Sequence, residues 1–172
     1  MILIHTALLC EAQSFIEYYK LKKTNSTPKV YANNFIIICI GGVGEENTIK
    51  SLNYIFKNYI ITNAFNIGIA GCNNTDVKIG TLFCTNHNLD KVPKLPLITS
   101  NQITYSSKIE ETTLYDMEGS FFLEYCLTHL EDKNIYIFKI ISDHLNPQKF
   151  NKDTIKSLIS KQTIIHKYIN LD

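Results

Sequence analysis

The stretch Ile135-Tyr-Ile-Phe-Lys-Ile-Ile-Ser-Asp143 reads as a core strand that ends in a carboxylate. A run this apolar fits a strand covered by helices on both faces, as in α/β proteins. In open α/β sheets, ligand crevices form outside the carboxyl ends of strands, and Asp143 occupies that position. A turn-forming Asp is the bland alternative.

The same rhythm extends outward. Ala64–Ala70 is a second apolar run that ends in Gly71, and Ile2–Leu8 is a third, followed by a helix over Glu11–Leu21 with Ala12, Phe15, Ile16 and Tyr19 on one face. Lys22–Pro28 reads as a polar turn. Lys29–Tyr31 and Phe35–Ile40 can pair as a hairpin across Asn33-Asn34. Gly41-Gly-Val-Gly44 breaks the chain before a helix that buries Ile49, Leu52, Ile55 and Phe56. Further strands are predicted over Lys78–Cys84 and Leu95–Thr99, a helix over Glu118–Leu130 and a closing helix over Thr154–Ile169. Strand, turn, helix, strand without an internal repeat predicts one α/β domain over residues 1–172: three layers, with a mixed central sheet flanked by helices.

The composition supports one core of this kind: 172 residues, 45% hydrophobic, 19% charged, net charge +1. All 17 basic residues are lysines, so no planar guanidinium clamp for phosphate is available. Scattered lysines form no basic stripe, which argues against nucleic acid and anionic membrane as partners. No apolar run reaches the ~20 residues that a membrane helix needs. Met1–Cys10 lacks a basic start and is read as a strand rather than a leader. The five cysteines, Cys10, Cys39, Cys72, Cys84 and Cys126, are odd in number and have no C-x-x-C pair, which suggests reduced thiols and a cytoplasmic location.

Three acids lie where apolar elements begin or end: Glu11, Glu118 and Asp143. Glu11 opens a helix, where it can serve as a capping acid or project toward the strand ends. Glu118 begins a helix with Phe122, Tyr125 and Cys126 on its buried face, and burying an unpaired carboxylate there costs several kcal/mol. Gly41–Gly44 offers amide donors for phosphate, but Glu45 and Glu46 in the next turn compete with an anion. His5, His87, His129, His144 and His166 share no ligand spacing with each other or with a cysteine, so no metal is expected. No Gly-x-Ser-x-Gly elbow is present.

Ile2-Leu-Ile-His-Thr-Ala-Leu8 with Glu11-Ala12, Gly41–Gly44, Asn66-Ile-Gly-Ile-Ala-Gly71, Lys78-Ile-Gly80, Asp116-Met-Glu-Gly119 and Ile141-Ser-Asp143 follow one another in the order of the nucleoside phosphorylase and nucleosidase superfamily. The set most resembles the methylthioadenosine/S-adenosylhomocysteine nucleosidases and futalosine hydrolases. The resemblance covers most of the chain, with Thr81–Tyr115 short for the family. It implies hydrolysis of the N-glycosidic bond of a purine nucleoside, without metal or organic cofactor, in a homodimer. Asp143 would protonate or hydrogen-bond the purine N7, Glu118 would hold the ribose hydroxyls with Met117 against the sugar, and Glu11 would orient or deprotonate the attacking water. Ala70, Gly71 and Ser142 would contact substrate, and Tyr105 is the candidate for stacking on the base.

Lys139 stands where relatives often carry arginine, and the absence of arginine favours water over phosphate as nucleophile. A purine nucleoside phosphorylase and a non-catalytic nucleoside-binding paralogue remain the alternatives.

Overall fold

The computed structural model describes residues 1–147 and 151–170. Four parallel strands form its centre: β1 (Ile2–Thr6), β4 (Ile36–Ile40), β5 (Asn63–Cys72) and β9 (Ile135–Asp143), in the spatial order β4-β1-β5-β9. β2 (Lys22–Ser26) and β3 (Lys29–Ala32) extend the β4 edge in antiparallel fashion. β6 (Leu82–Cys84) lies antiparallel on β9, and β8 (Leu114–Asp116) pairs with the end of β5 and carries β7 (Leu97–Thr99). The sheet is therefore mixed, as expected.

Apolar alternation along these strands feeds two helical layers. On one face Phe15 of α1 (Leu9–Tyr18), Ile155 and Ile159 of α4 (Lys152–Ser160) and Ile165 and Ile169 of α5 (Ile165–Ile169) pack on Ile4, Ile38, Phe65, Ile67 and Phe138. On the other, Leu52 and Ile55 of α2 (Glu45–Asn58) and Phe122 and Cys126 of α3 (Gly119–Leu127) cover Leu3, Ile37, Ala64 and Ile137. Among the described residues, no helix is long and apolar enough to cross a membrane.

Three local expectations are corrected. Lys22–Pro28 is not only a turn, because Lys22–Ser26 forms the outermost strand; its charged and polar side chains face solvent, as suits an edge that must not pair further. The strand expected from Lys78 starts at Leu82, because Gly80 turns the chain at φ +87°. The closing helix is two helices: Ile159 and Ile165 are six residues apart, out of phase with one helical stripe, and both reach the core only because the chain breaks between them.

β5 changes partners along one edge. β1 pairs with Asn63–Asn66, β8 takes over only at Gly71–Cys72, and β9 runs along the opposite edge throughout. The ladder on the β1 side is thus open between these contacts, directly beside the carboxyl ends of the parallel strands.

Candidate active site

A cavity of about 340 Å³ lies at that opening, within the range of small-molecule sites. Its lining includes Ala7, Leu8 and Glu11 after β1, Val43 after β4, Ile69–Gly71 of β5, Asp116 at the end of β8 with Met117 and Glu118 after it, and Ser142 and Asp143 at the end of β9. Strand ends from distant parts of the sequence therefore converge on one volume.

Glu11 is 2% exposed and occupies the third position of α1. Its Oε2 accepts hydrogen bonds from the amides of Ala7 (3.1 Å) and Leu8 (2.8 Å), reaching back over the helix start as in a capping box. Its Oε1 accepts from the Ile69 amide (3.0 Å), a donor left free where β5 lacks a neighbour. Glu11 is thus both a capping acid and part of the cavity wall. Gly68 permits the approach, because a Cβ there would lie 2.9 Å from Oε1. Burial pushes the Glu11 carboxyl above the usual carboxylate range, while the three amides and Lys139 pull the other way.

Glu118 is the N-cap residue of α3, yet its side chain does not cap that helix. Its Oε1 instead accepts from the Gly44 amide (3.0 Å) at the start of α2. Gly44 reaches this position at φ +88°, where a side chain would be strained. Burial pushes Glu118 up to about 7; Lys139 opposes the shift and Asp116 adds to it.

Asp143 is aimed by an irregularity in the β5–β9 register: Ala70 pairs with Ile141 but Gly71 pairs with Asp143, so Ser142 is an extra residue in β9. Such a bulge redirects the side chain that follows it. The Ser142 hydroxyl donates to Asp143 Oδ2 (2.7 Å), and the Asn146 amide donates to Oδ1 (3.2 Å).

Seven of the eight residues expected at the site line this cavity: Glu11, Ala70, Gly71, Met117, Glu118, Ser142 and Asp143. Tyr105 does not. It is 67% exposed, and its segment contributes Gln102, Ile103 and Thr104 to the wall instead. The aromatic residue in the lining is Tyr115, whose hydroxyl hydrogen-bonds Ser107 Oγ at 2.5 Å.

The sequence reading missed Asp116 as a site residue and treated Lys139 only as a replaced arginine. Lys139, 1% exposed, pairs with Asp116 Oδ2 at 2.6 Å. Asp116 also accepts from Thr99 Oγ1 (2.5 Å) and from the Gly119 amide (2.8 Å). Burial alone would lower the Lys139 pKa, but Asp116, Glu118 and Glu11 together hold it above the ordinary value. His5, buried nearby, is lowered to about 3 by burial and by Lys139, and so stays neutral. Lys139 is the only buried lysine among the described residues, and three carboxyls share it. A lysine inside the apolar run Ile135–Ile141 is itself the signal that could have revealed this, because a buried ammonium needs a partner.

Comparison with solved structures gives end-to-end matches. The Chlamydia trachomatis MTAN, as an Asp-to-Asn variant bound to MTA, aligns over 98% of each chain at 15% identity, with a TM-score of 0.77. The 5′-methylthioadenosine/S-adenosylhomocysteine nucleosidase of Helicobacter pylori, with butyl-thio-DADMe-Immucillin-A, aligns over 98% of this chain and 97% of its own at 12% identity and a TM-score of 0.80. The fold is that of the MTA/SAH nucleosidases. Native futalosine hydrolase of Helicobacter pylori shares the nucleosidase fold as well, at 13% identity, 99% and 97% coverage and a TM-score of 0.80. No family model matches the chain, and no curated protein matches it. The resemblance read from the ordered motifs therefore holds for the nucleosidase fold, and the reaction must be argued from the cavity. Among the described residues, no cluster of three or more His, Cys, Asp or Glu side chains suits a metal ion.

Proposed function

We propose that the protein hydrolyses the N-glycosidic bond of a purine nucleoside. The observation that carries this reading is the convergence of Glu11, Glu118 and Asp143 on one cavity in a nucleosidase fold. Cleavage of the C1′–N9 bond leaves its electron pair on the base and an oxocarbenium-like sugar. Asp143 donates its proton to N7, so the base departs neutral and Asp143 is left as a carboxylate, to be reprotonated before the next turnover. Glu118 accepts from the ribose hydroxyls, with Met117 against the sugar. Glu11 takes the proton from the water that attacks C1′. The products are the free base and the ribosyl sugar.

Water is favoured over phosphate by the charge of the cavity. No lysine appears among the described lining residues, whereas Glu11, Asp116, Glu118 and Asp143 do. The nearest buried cation, Lys139, is already engaged by Asp116. Among the described lining residues, a phosphate dianion would meet the carboxyl groups of Glu11, Glu118 and Asp143 and no ammonium.

The protein acts in this reading as a cytoplasmic homodimer on a small nucleoside, with neither nucleic acid nor membrane as partner. Five buried, unpaired cysteines support a reducing compartment, and the exposed apolar residues Ile103, in the cavity wall, and Tyr105 and Ile109, further along the same segment, support contact with a second copy.

The test is a base-release screen over purine nucleosides, 5′-substituted ones included, with and without phosphate. Release of adenine or hypoxanthine without phosphate is expected. A strict phosphate requirement would reassign the protein as a phosphorylase; binding without release would leave a nucleoside-binding protein.

A pH dependence follows from Glu118. Its folded pKa, about 7, lies above the unfolded value near 4.5, so the unfolded chain releases this proton first and stability falls as pH rises through that window. Glu118→Gln should therefore raise stability at pH 8, by at most about 3 kcal/mol, with little gain at pH 4. The same variant should lose base release, and wild-type kcat/KM should fall as pH drops below about 7. Denaturant melts at the two pH values together with a pH–rate profile check both; equal stability changes at both values would refute the assignment.

A further inference from the structure

The N-terminus of α2 has no cap of its own, because its N-cap residue is Gly44. Its first two amides are taken by residues far away in sequence. The Gly44 amide donates to Glu118 Oε1, and the Glu45 amide donates to Asn101 Oδ1 (3.0 Å). Asn101 Nδ2 in turn donates to Glu45 Oε2 (2.8 Å), so Asn101 and Glu45 are joined by two hydrogen bonds running in opposite senses.

This clamp lies between two walls of the cavity. Val43, next to Gly44, lines one wall; Gln102, Ile103 and Thr104, which follow Asn101, line another. After β7 the chain is without helix or strand until β8, so main-chain pairing does not fix Gln102–Thr104. The Gln102 amide donates to Ser100 Oγ (3.1 Å) on its own segment, and the next hydrogen bond to another element is at Ser107, through Tyr115. Asn101 is therefore the contact that sets the wall's distance from the start of α2, one residue from the amide that holds Glu118.

We propose that Asn101 is a positioning residue that fixes the Gln102–Thr104 wall against the start of α2 and so shapes the substrate cavity. Both hydrogen bonds are solvent-exposed and add little to global stability, so the effect is local. The kinetic consequence rests on the hydrolase reading; the structural consequence does not.

Asn101→Ala, which removes both hydrogen bonds, is expected to leave the melting temperature within about 2 °C, to speed amide exchange in residues 102–106, and to raise KM about fivefold or more with kcat changed less than twofold; Glu45→Ala keeps the bond from its main-chain amide and should act in the same direction with a smaller effect. Glu45→Gln retains an oxygen that can accept from Asn101 Nδ2 and should behave as wild type. The double alanine variant should be no worse than Asn101→Ala, which already removes both hydrogen bonds. Unchanged exchange in Asn101→Ala overturns the proposal, as does an unchanged KM in an active enzyme. If the wild type releases no base from any nucleoside, the hydrolase reading fails, and exchange in Asn101→Ala alone decides whether the clamp stands.

Discussion

Asp143→Asn should slow base release by about 10²- to 10⁴-fold, the usual loss on removing a general acid, while nucleoside binding and the fold survive. The fold should tolerate the change because the neighbours can adapt. The Ser142 hydroxyl, which donates to Asp143 Oδ2, lies 3.3 Å from the Ala70 carbonyl and can turn to it, accepting from the new amide instead. The Asn146 amide keeps an oxygen acceptor. The variant therefore loses the transferable proton and little else. Single-turnover rates, nucleoside binding by calorimetry and a thermal melt separate these effects. A rate within tenfold of wild type would remove Asp143 from the acid role, whatever the binding data show.

Lys139→Met should destabilise the protein by about 3–5 kcal/mol, the cost of leaving buried charge without its partner. The pair with Asp116 is fully enclosed, so solvent cannot replace the ammonium. Glu118 and Glu11 lose the same cation, and both should titrate still higher than they do with it. A chain with the usual small margin of stability can fail to fold under such a loss. Asp116→Asn combined with Lys139→Met keeps the test decisive: with the charge of both partners removed, most of the lost stability should return. A single variant as stable as wild type, or a double variant no better than the single, would show that the ion pair does not hold this centre. Urea unfolding at pH 7 measures both.

What the sequence disclosed depended on local contrast. Glu11, Glu118 and Asp143 stood out because each interrupts an apolar pattern at the edge of an element, and all three line the cavity. Lys139 was just as conspicuous inside Ile135–Ile141, but its meaning depends on Asp116, which reaches it from a strand of three residues, too short for a period to announce it. Tyr105 was a residue type without a direction: in a segment lacking helix or strand, nothing in the pattern fixes which side chain faces inward. Lys22–Ser26 escaped notice because an outermost strand needs no apolar alternation. The break between α4 and α5 was missed in reading one closing helix, although the six-residue step from Ile159 to Ile165 carries its signal.

The change of partner along β5 bears on how this molecule tolerates sequence drift. The opening is written in main-chain pairing, by where β1 stops and β8 begins, and needs no particular wall side chain to exist. A handful of positions at strand ends must keep their chemistry, while Val43, Ile103 or Leu145 can be exchanged for side chains of other size without erasing the recess. A chain can therefore diverge until 12–15% identity remains with structures it matches over almost their whole length, and still keep the same fold. That separation makes the wall a place to retune what enters, and the split edge a place to leave untouched.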